Sequence, residues 1–296
     1  MDRGRAPGPQ GPPAAMDSFV FAAVLFSAAC HAAWNAAAKS RLDPVTTIAM
    51  ISIASATIAL ALMLFTGLPD CAAWLWVAAS VVIHLFYFIG LGESYRFGDL
   101  GEVYPIARGG APLMTAGGAA LLLGENVATA GWAGIVLLVM GVLLLSLRGG
   151  ADLRRMNPRA LGFALFTAFT VSLYSLVDGT GGRIGDSPHP YTLAMFVGNG
   201  LVMAAYVVAR RGSGAFAAMR PHWKTGALGG ALQVVSYGIA IWAMSVAPIA
   251  LVAALRETSV LFGALLGVLM LRERLNAIRI GAALVIFAGL LLIRLQ

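Results

Sequence analysis

Two arginines, Arg108 and Arg256, each stand inside a long apolar run of this 296-residue chain. A charge at the centre of a bilayer costs about 2.5–3.5 kcal/mol on insertion scales, so an arginine held there has work to do. The guanidinium is a planar fork of donors that matches carboxylate, phosphate or phosphonate. If both arginines face the interior, they converge on an anionic or zwitterionic ligand. The competing reading pairs each with an acid and makes them helix ties. Glu257 follows Arg256 directly, and neighbours on a helix face apart. It is therefore read either as the partner of Arg108 across an interface or as a proton-coupling carboxylate.

A second constellation lies near the amino terminus. His31, Trp34, Asn35 and Lys39 fall at i, i+3, i+4 and i+8, on one helical face. A polar stripe on a membrane helix points into protein or water. His31 and Asn35 can hydrogen-bond a ligand and Trp34 can stack on it; the alternative is an interhelical hydrogen-bond seam. Lys39 reads as an interfacial residue that snorkels. Tyr87 and Tyr237 occupy deep, similar places in the two halves and are read as cavity residues. His84, Glu93, Tyr95, Gln233 and Trp242 are weaker candidates. Asp178 reads as interfacial or as an arginine partner, Glu102 and Tyr104 as shaping an entrance, and Glu125 and Glu273 as exposed helix closers.

The elements that must position these residues follow from composition. Of the chain 59% is apolar and 11% charged, with mean hydropathy +0.84, against about 25% charged in a soluble domain. A water-soluble surface needs more polar residues than this, so soluble enzymes, nucleic-acid binders and disordered chains are excluded. Ten apolar runs of bilayer-spanning length cover 17–38, 44–66, 72–94, 101–124, 127–147, 160–180, 190–210, 225–246, 248–271 and 276–295. Backbone in lipid must satisfy its own hydrogen bonds, so these are helices. A β-barrel would need shorter, alternating strands. The fold class is all-α integral membrane with ten transmembrane helices.

Residues 1–16 form a Pro- and Gly-rich tail read as disordered, with Met16 as a natural start. Cys30 and Cys71 match no metal or redox spacing. The chain has no H-E-x-x-H, C-x-x-C or phosphate-loop motif, so no metal, no cofactor and no ATP-driven pumping is expected. Abundant small residues, including Gly117, Gly118, Gly226, Gly229, Gly230 and the Gly263/Gly267 pair, read as close helix packing.

The halves repeat. At an offset of 148, Arg108 falls on Arg256 and Glu125 on Glu273; upstream, Phe26 lies over Phe166 and Trp34 over Tyr174. The units are 17–148 and 160–296, joined by a loop at 149–159. Five spans each force the second unit to enter from the opposite side, an inverted repeat with its site between the halves. An amino terminus on the cytoplasmic side would leave Arg3, Arg5, Arg183 and Arg294 there against 14 basic residues opposite. The positive-inside rule therefore puts both termini outside the cytoplasm.

HAAWNAAAK in span 1, GDLGEVYPIARG before span 4, LLLGE closing it and ALRETSVLFGALLG in span 9 resemble the EamA-type branch of the drug/metabolite transporter superfamily. The second unit departs from that pattern at LRER, 271–274, which lacks the Gly. The resemblance implies ten helices, a central cavity and export or exchange of small metabolites. The expectation is a secondary transporter of the inner or plasma membrane working by alternating access. Its substrate is a small polar or anionic metabolite of the amino-acid or organic-anion class; a proton is the coupling ion if Glu257 titrates, and no coupling ion is assigned if Glu257 is a permanent salt bridge. Its other partner is the lipid bilayer, and nucleic acid is not expected. The rival is a membrane-embedded enzyme acting on a lipid-linked substrate, which would want acids or histidines clustered at one membrane face.

Overall fold

The computed structural model describes residues 16–37, 42–98, 100–146, 157–271 and 277–295. Residues 1–15 of the expected tail, residues 149–156 of the expected inter-unit loop, Lys39 and Glu273 lie outside them, as do the side chains of Tyr95, Glu102 and Tyr104 and the surroundings of Gly267. The described residues hold helices and turns and no strand. The helices are α1 (Ser18–Ala37), α2 (Pro44–Thr66), α3 (Trp74–Phe97), α4 (Leu100–Leu122), α5 (Thr129–Ser146), α6 (Pro158–Gly181), α7 (Pro188–Arg211), α8 (Gly214–Met219), α9 (Trp223–Val246), α10 (Ile249–Arg256), α11 (Ser259–Leu271) and α12 (Ala277–Arg294). Among the described residues, eight helical segments are long and apolar enough to cross a bilayer, with a shorter apolar helix at Thr129–Leu145.

Local chemistry sets where helices begin. Asp43, Asn157 and Ser187 each accept a backbone N–H in the first turn of α2, α6 and α7, and each is followed by a proline at the first helical position. Proline fits there because its missing N–H would have had no partner.

Two expectations from the sequence change. The stretch 210–224, read as a break, contains the short helix α8. The run 248–271, read as one span, is two helices. Between α10 and α11 the amides of Glu257 and Thr258 bond to Ala254 O and Leu255 O, three residues back rather than four. Thr258 Oγ1 donates to Leu255 O at 2.7 Å and holds the tightened turn. Hydropathy is blind to this, because a tightened turn of apolar backbone has the same composition as a straight one.

Small residues let the helices approach closely. A Cβ on Gly134 of α5 would meet Gly289 O of α12 at 2.8 Å, and one on Gly289 would meet Gly134 O at 2.8 Å. Gly230 touches Ala54 and Ser55 of α2, and Gly118 faces Leu176. Gly117 and Gly263 have open space instead. The buried core lies where α4, α5, α10 and α12 meet, around Ile135, Leu138, Leu251, Leu255 and Ile286.

Candidate functional site

A cavity of about 620 Å³, counting its open mouth, lies between α1, α2, α3, α6, α7, α9 and the end of α10. Its wall is largely aromatic. His84 stacks on Tyr174 with ring centres 4.3 Å apart, Tyr87 meets Tyr174 edge-on at 5.8 Å, and Tyr174 meets Tyr237 edge-on at 6.1 Å. On α1, Trp34 Nε1 donates to His31 Nδ1 at 3.3 Å, so these two wall residues hold each other. Such tilted and stacked pairs fix ring orientation and leave ring faces toward the hollow.

Arg256 is the charged residue of this wall. It is buried, and its guanidinium lies 4.6 Å from the centre of the Tyr237 ring. Among the described residues no carboxylate lies within ion-pair distance of it. Tyr237 in turn donates its hydroxyl to Asp178, which also accepts from Tyr191 at 2.7 Å. Asp178 is fully buried. It is not interfacial, and among the described residues it is ion-paired with no arginine; the hydroxyls of Tyr191 and Tyr237 satisfy it. A hydroxyl donating to a carboxylate makes its ring electron-rich, which strengthens the hold of that ring on a cation.

Arg108 is treated differently. Its Nε lies 3.0 Å from Glu257 Oε2, and its Nη2 donates to Ser259 Oγ at 3.1 Å. This Nε contact is an ion pair rather than an aligned hydrogen bond. Both partners are buried. They face a smaller hollow of about 260 Å³, and Arg256 stands in the wall of both hollows. The two arginines therefore do not share the larger cavity.

Of the other residues singled out from the sequence, His31, Trp34, Tyr87 and Tyr237 line the large cavity. Asn35 does not. Its amide donates to His31 O at 2.8 Å, one turn back on its own helix. His84 and Gln233, ranked as weaker, are in the wall, and Gln233 Oε1 accepts from Ser55 at 2.6 Å. Ser52, Phe88, Met195, Phe196 and Asn199 are wall residues that sequence reasoning missed. Asn199 carried a usable signal, a lone amide in the middle of the apolar run FVGNGL. Glu125, read as exposed, is largely covered and bound to Arg183 at 2.9 Å.

The cavity has depth and direction. On α1 and α2 its wall residues, His31, Trp34 and Ser52, lie on the halves toward the end of α1 and the start of α2. On α6, α7 and α9 the wall residues lie near mid-helix. Beyond them, toward the face where α1 begins and α12 ends, come first the Asp178 cluster and then Glu125 with Arg183. The hollow thus runs from mid-depth toward the basic-loop face.

No curated protein matches the sequence. Twenty-nine chains of solved structures resemble it. One, a crystal structure, is 18% identical and has a TM-score of 0.71, covering 94% of this chain and 96% of its own. That likeness speaks for the fold alone. Residues 158–295 match the sequence profile of the EamA-like transporter family. The second half of the chain is thus similar to the EamA-like transporter family, part of the drug/metabolite transporter superfamily.

Proposed function

We propose that this protein is a secondary transporter that binds a small organic anion or zwitterion at Arg256 and moves it by alternating access. The observation that carries this reading is a buried guanidinium facing an aromatic hollow with an aromatic ring, not an acid, as its neighbour. The nearest carboxylate, Glu257, is ion-paired with Arg108 and meets the Arg256 charge only in part, so a bound carboxylate or phosphate relieves the remaining cost of burying it. The aromatic wall suits a ligand that joins one anionic group to an apolar body. Organic-anion and amino-acid classes fit both features. Exchange or export is the proposed direction, across the inner or plasma membrane.

The proposed architecture is ten spans in two inverted units of five, with α4 and α5 completing the eight longer segments and with α10–α11 taken as one interrupted span. The packing pattern supports it. Exchanging α1 with α6, α2 with α7, α3 with α9, α4 with α10–α11 and α5 with α12 maps several of the larger contacts onto each other, whereas α4–α5 has no comparable counterpart among the described residues. The α3–α6 contact becomes α9–α1, α2–α9 becomes α7–α3, α4–α6 becomes α10–α11 on α1, and α2–α7 and α5–α12 map onto themselves. Interrupted helices at mid-depth are recurrent ligand-site elements in such transporters. The loop charges support termini outside the cytoplasm and a cavity directed toward the cytoplasm.

Glu257 is the proposed proton-coupling carboxylate, with Arg108 as the partner that a proton would release. A Glu257→Gln variant whose transport still responds normally to a pH gradient removes that role. The rival reading, an enzyme on a lipid-linked substrate, is not favoured, because the polar residues here gather at mid-depth rather than at one face. The test is a thermal-shift screen of organic anions on purified protein, followed by counterflow of the stabilising anion in proteoliposomes. Saturable counterflow that Arg256→Ala loses at unchanged membrane abundance is expected. Wild-type uptake in Arg256→Ala would retire its binding role.

A further inference from the structure

The chain turns sharply after α4. Gly124, at φ 66°, takes a conformation that L side chains rarely adopt, and the amides of Leu123 and Glu125 both bond back to Ala119 O. This glycine-stopped end aims the next residue, Glu125, under the start of α10. There Glu125 accepts the amides of Ile249 at 3.0 Å and Ala250 at 3.2 Å, which are first-turn donors of α10. Arg183, from the turn between α6 and α7, donates to the same carboxylate at 2.9 Å. The same guanidinium donates to Met244 O at 2.9 Å and Ala247 O at 3.1 Å, at the end of α9. One acid and one arginine thus tie four pieces of chain on the face away from the basic loops.

The helix they hold is the one that carries the ligand arginine. α10 is an eight-residue rod, with Ile249 in the clamp at one end and Arg256 in the cavity wall at the other. Beyond Arg256 the tightened turn at Glu257–Thr258 is a break about which the rod can tilt. A rigid rod that is clamped at one end and touches ligand at the other links the two places by direct contact.

We propose that Glu125 and Arg183 form the gate of the transport cycle on this face. The gate is shut while the cavity communicates with the basic-loop face, and it parts when the cavity opens on the opposite one. This rests on the transport reading above. The chemistry suits a reversible latch. Arg183 is about a third exposed, with side-chain accessibility 35%, so water can replace its bonds, whereas Glu125, at 10%, is kept dry enough for the pair to hold.

The test needs no ligand. In a Cys30→Ser/Cys71→Ser background, Asn199→Cys places a thiol in the cavity wall. A membrane-impermeant maleimide is applied to each face in turn, using intact cells and inverted vesicles. The parent is expected to react from the basic-loop face and slowly from the other. Glu125→Gln and Arg183→Gln are each expected to speed reaction from the clamped face by roughly tenfold, the shift that follows from losing one charge-assisted hydrogen bond. Unchanged reaction from the basic-loop face shows that the variants are folded. Arg183→Gln leaves Glu125 on the amides of α10, so it carries the test if Glu125→Gln fails to fold. Parent rates from both faces in the folded variants would overturn the gate. A shifted labelling pattern in a protein that moves no metabolite would retire the transport reading and leave the gate standing.

Discussion

α4 and the α10–α11 segment carry Arg108 and Arg256 148 positions apart, and they handle the same side chain in opposite ways. α4 runs unbroken through Pro112, although a proline there cannot donate to Arg108 O. The segment from Ile249 to Leu271 has no proline and is nonetheless interrupted. Proline therefore does not decide where these helices break. The demands of consecutive side chains offer the physical reason: Arg256 reaches the Tyr237 ring on α9, while the next residue, Glu257, reaches Arg108 on α4. A tightened turn after Arg256 lets both contacts form. The result is one arginine tied to the scaffold and one whose charge is left for a ligand.

The largest effect is expected on the scaffold side. Arg108→Ala strands Glu257 as a buried, unpaired charge, which costs about 3–5 kcal/mol. Thermal unfolding in detergent should fall accordingly, and Arg108→Gln/Glu257→Gln should recover most of the loss. A single Arg108→Ala with wild-type stability would break the comparison. Next comes Arg256→Ala. It removes a charge-assisted ligand contact worth about 1.5–3 kcal/mol, or roughly 10- to 100-fold in apparent affinity. Its folded stability should change far less than that of Arg108→Ala, because Arg256 rests on a ring face and Glu257 keeps Arg108 as its ion-pair partner when Arg256 is removed.

The break itself can be probed with Thr258→Ala, which deletes the hydroxyl bond to Leu255 O. A neutral hydrogen bond is worth about 0.5–1.5 kcal/mol. Backbone amides from 257 to 262 should exchange faster by hydrogen–deuterium exchange, with α4 unaffected. Equal acceleration in α4 would place the flexibility in the whole bundle instead.

The smallest effect concerns Asp43, outside the spans. Burial alone would raise the Asp43 carboxyl, but hydrogen bonds from the Thr46 hydroxyl and amide and the Arg211 guanidinium outweigh it and hold it below the ordinary carboxylate range. Asp43→Ala should cost about 1 kcal/mol near neutral pH, the usual worth of a helix cap. A depressed carboxyl stabilises above its unfolded value, about 3.9, and that advantage is lost as pH falls through the folded one. Unfolding scans of the two proteins should therefore converge in acid, leaving the cores on both sides of the comparison unmoved.

Much of this could be read from the sequence, and the rest fails for identifiable reasons. Run lengths placed α1, α2, α6 and α12 within a few residues, since lipid-crossing helices are fixed by apolar length. Arg256, His31, Trp34, Tyr87 and Tyr237 stood out as polar or aromatic residues inside such runs. The interruption at Glu257–Thr258 left no compositional trace. Asn35 and Asn199 show the limit of spacing arguments: one satisfies its own helix and the other reaches the cavity, though both are amides in apolar runs. Glu125 looked exposed because it follows a helix end. Only the fold brings Arg183 and the start of α10 onto it, across 58 and 124 positions of sequence.

The division of labour between the two arginines has one direct test: counterflow in proteoliposomes, using the organic anion that best stabilises the wild-type protein. Arg256→Ala should lose counterflow at anion concentrations that saturate the wild type, while the charge-neutral Arg108→Gln/Glu257→Gln pair should retain a measurable part of it. Wild-type counterflow in Arg256→Ala would contradict the assignment outright.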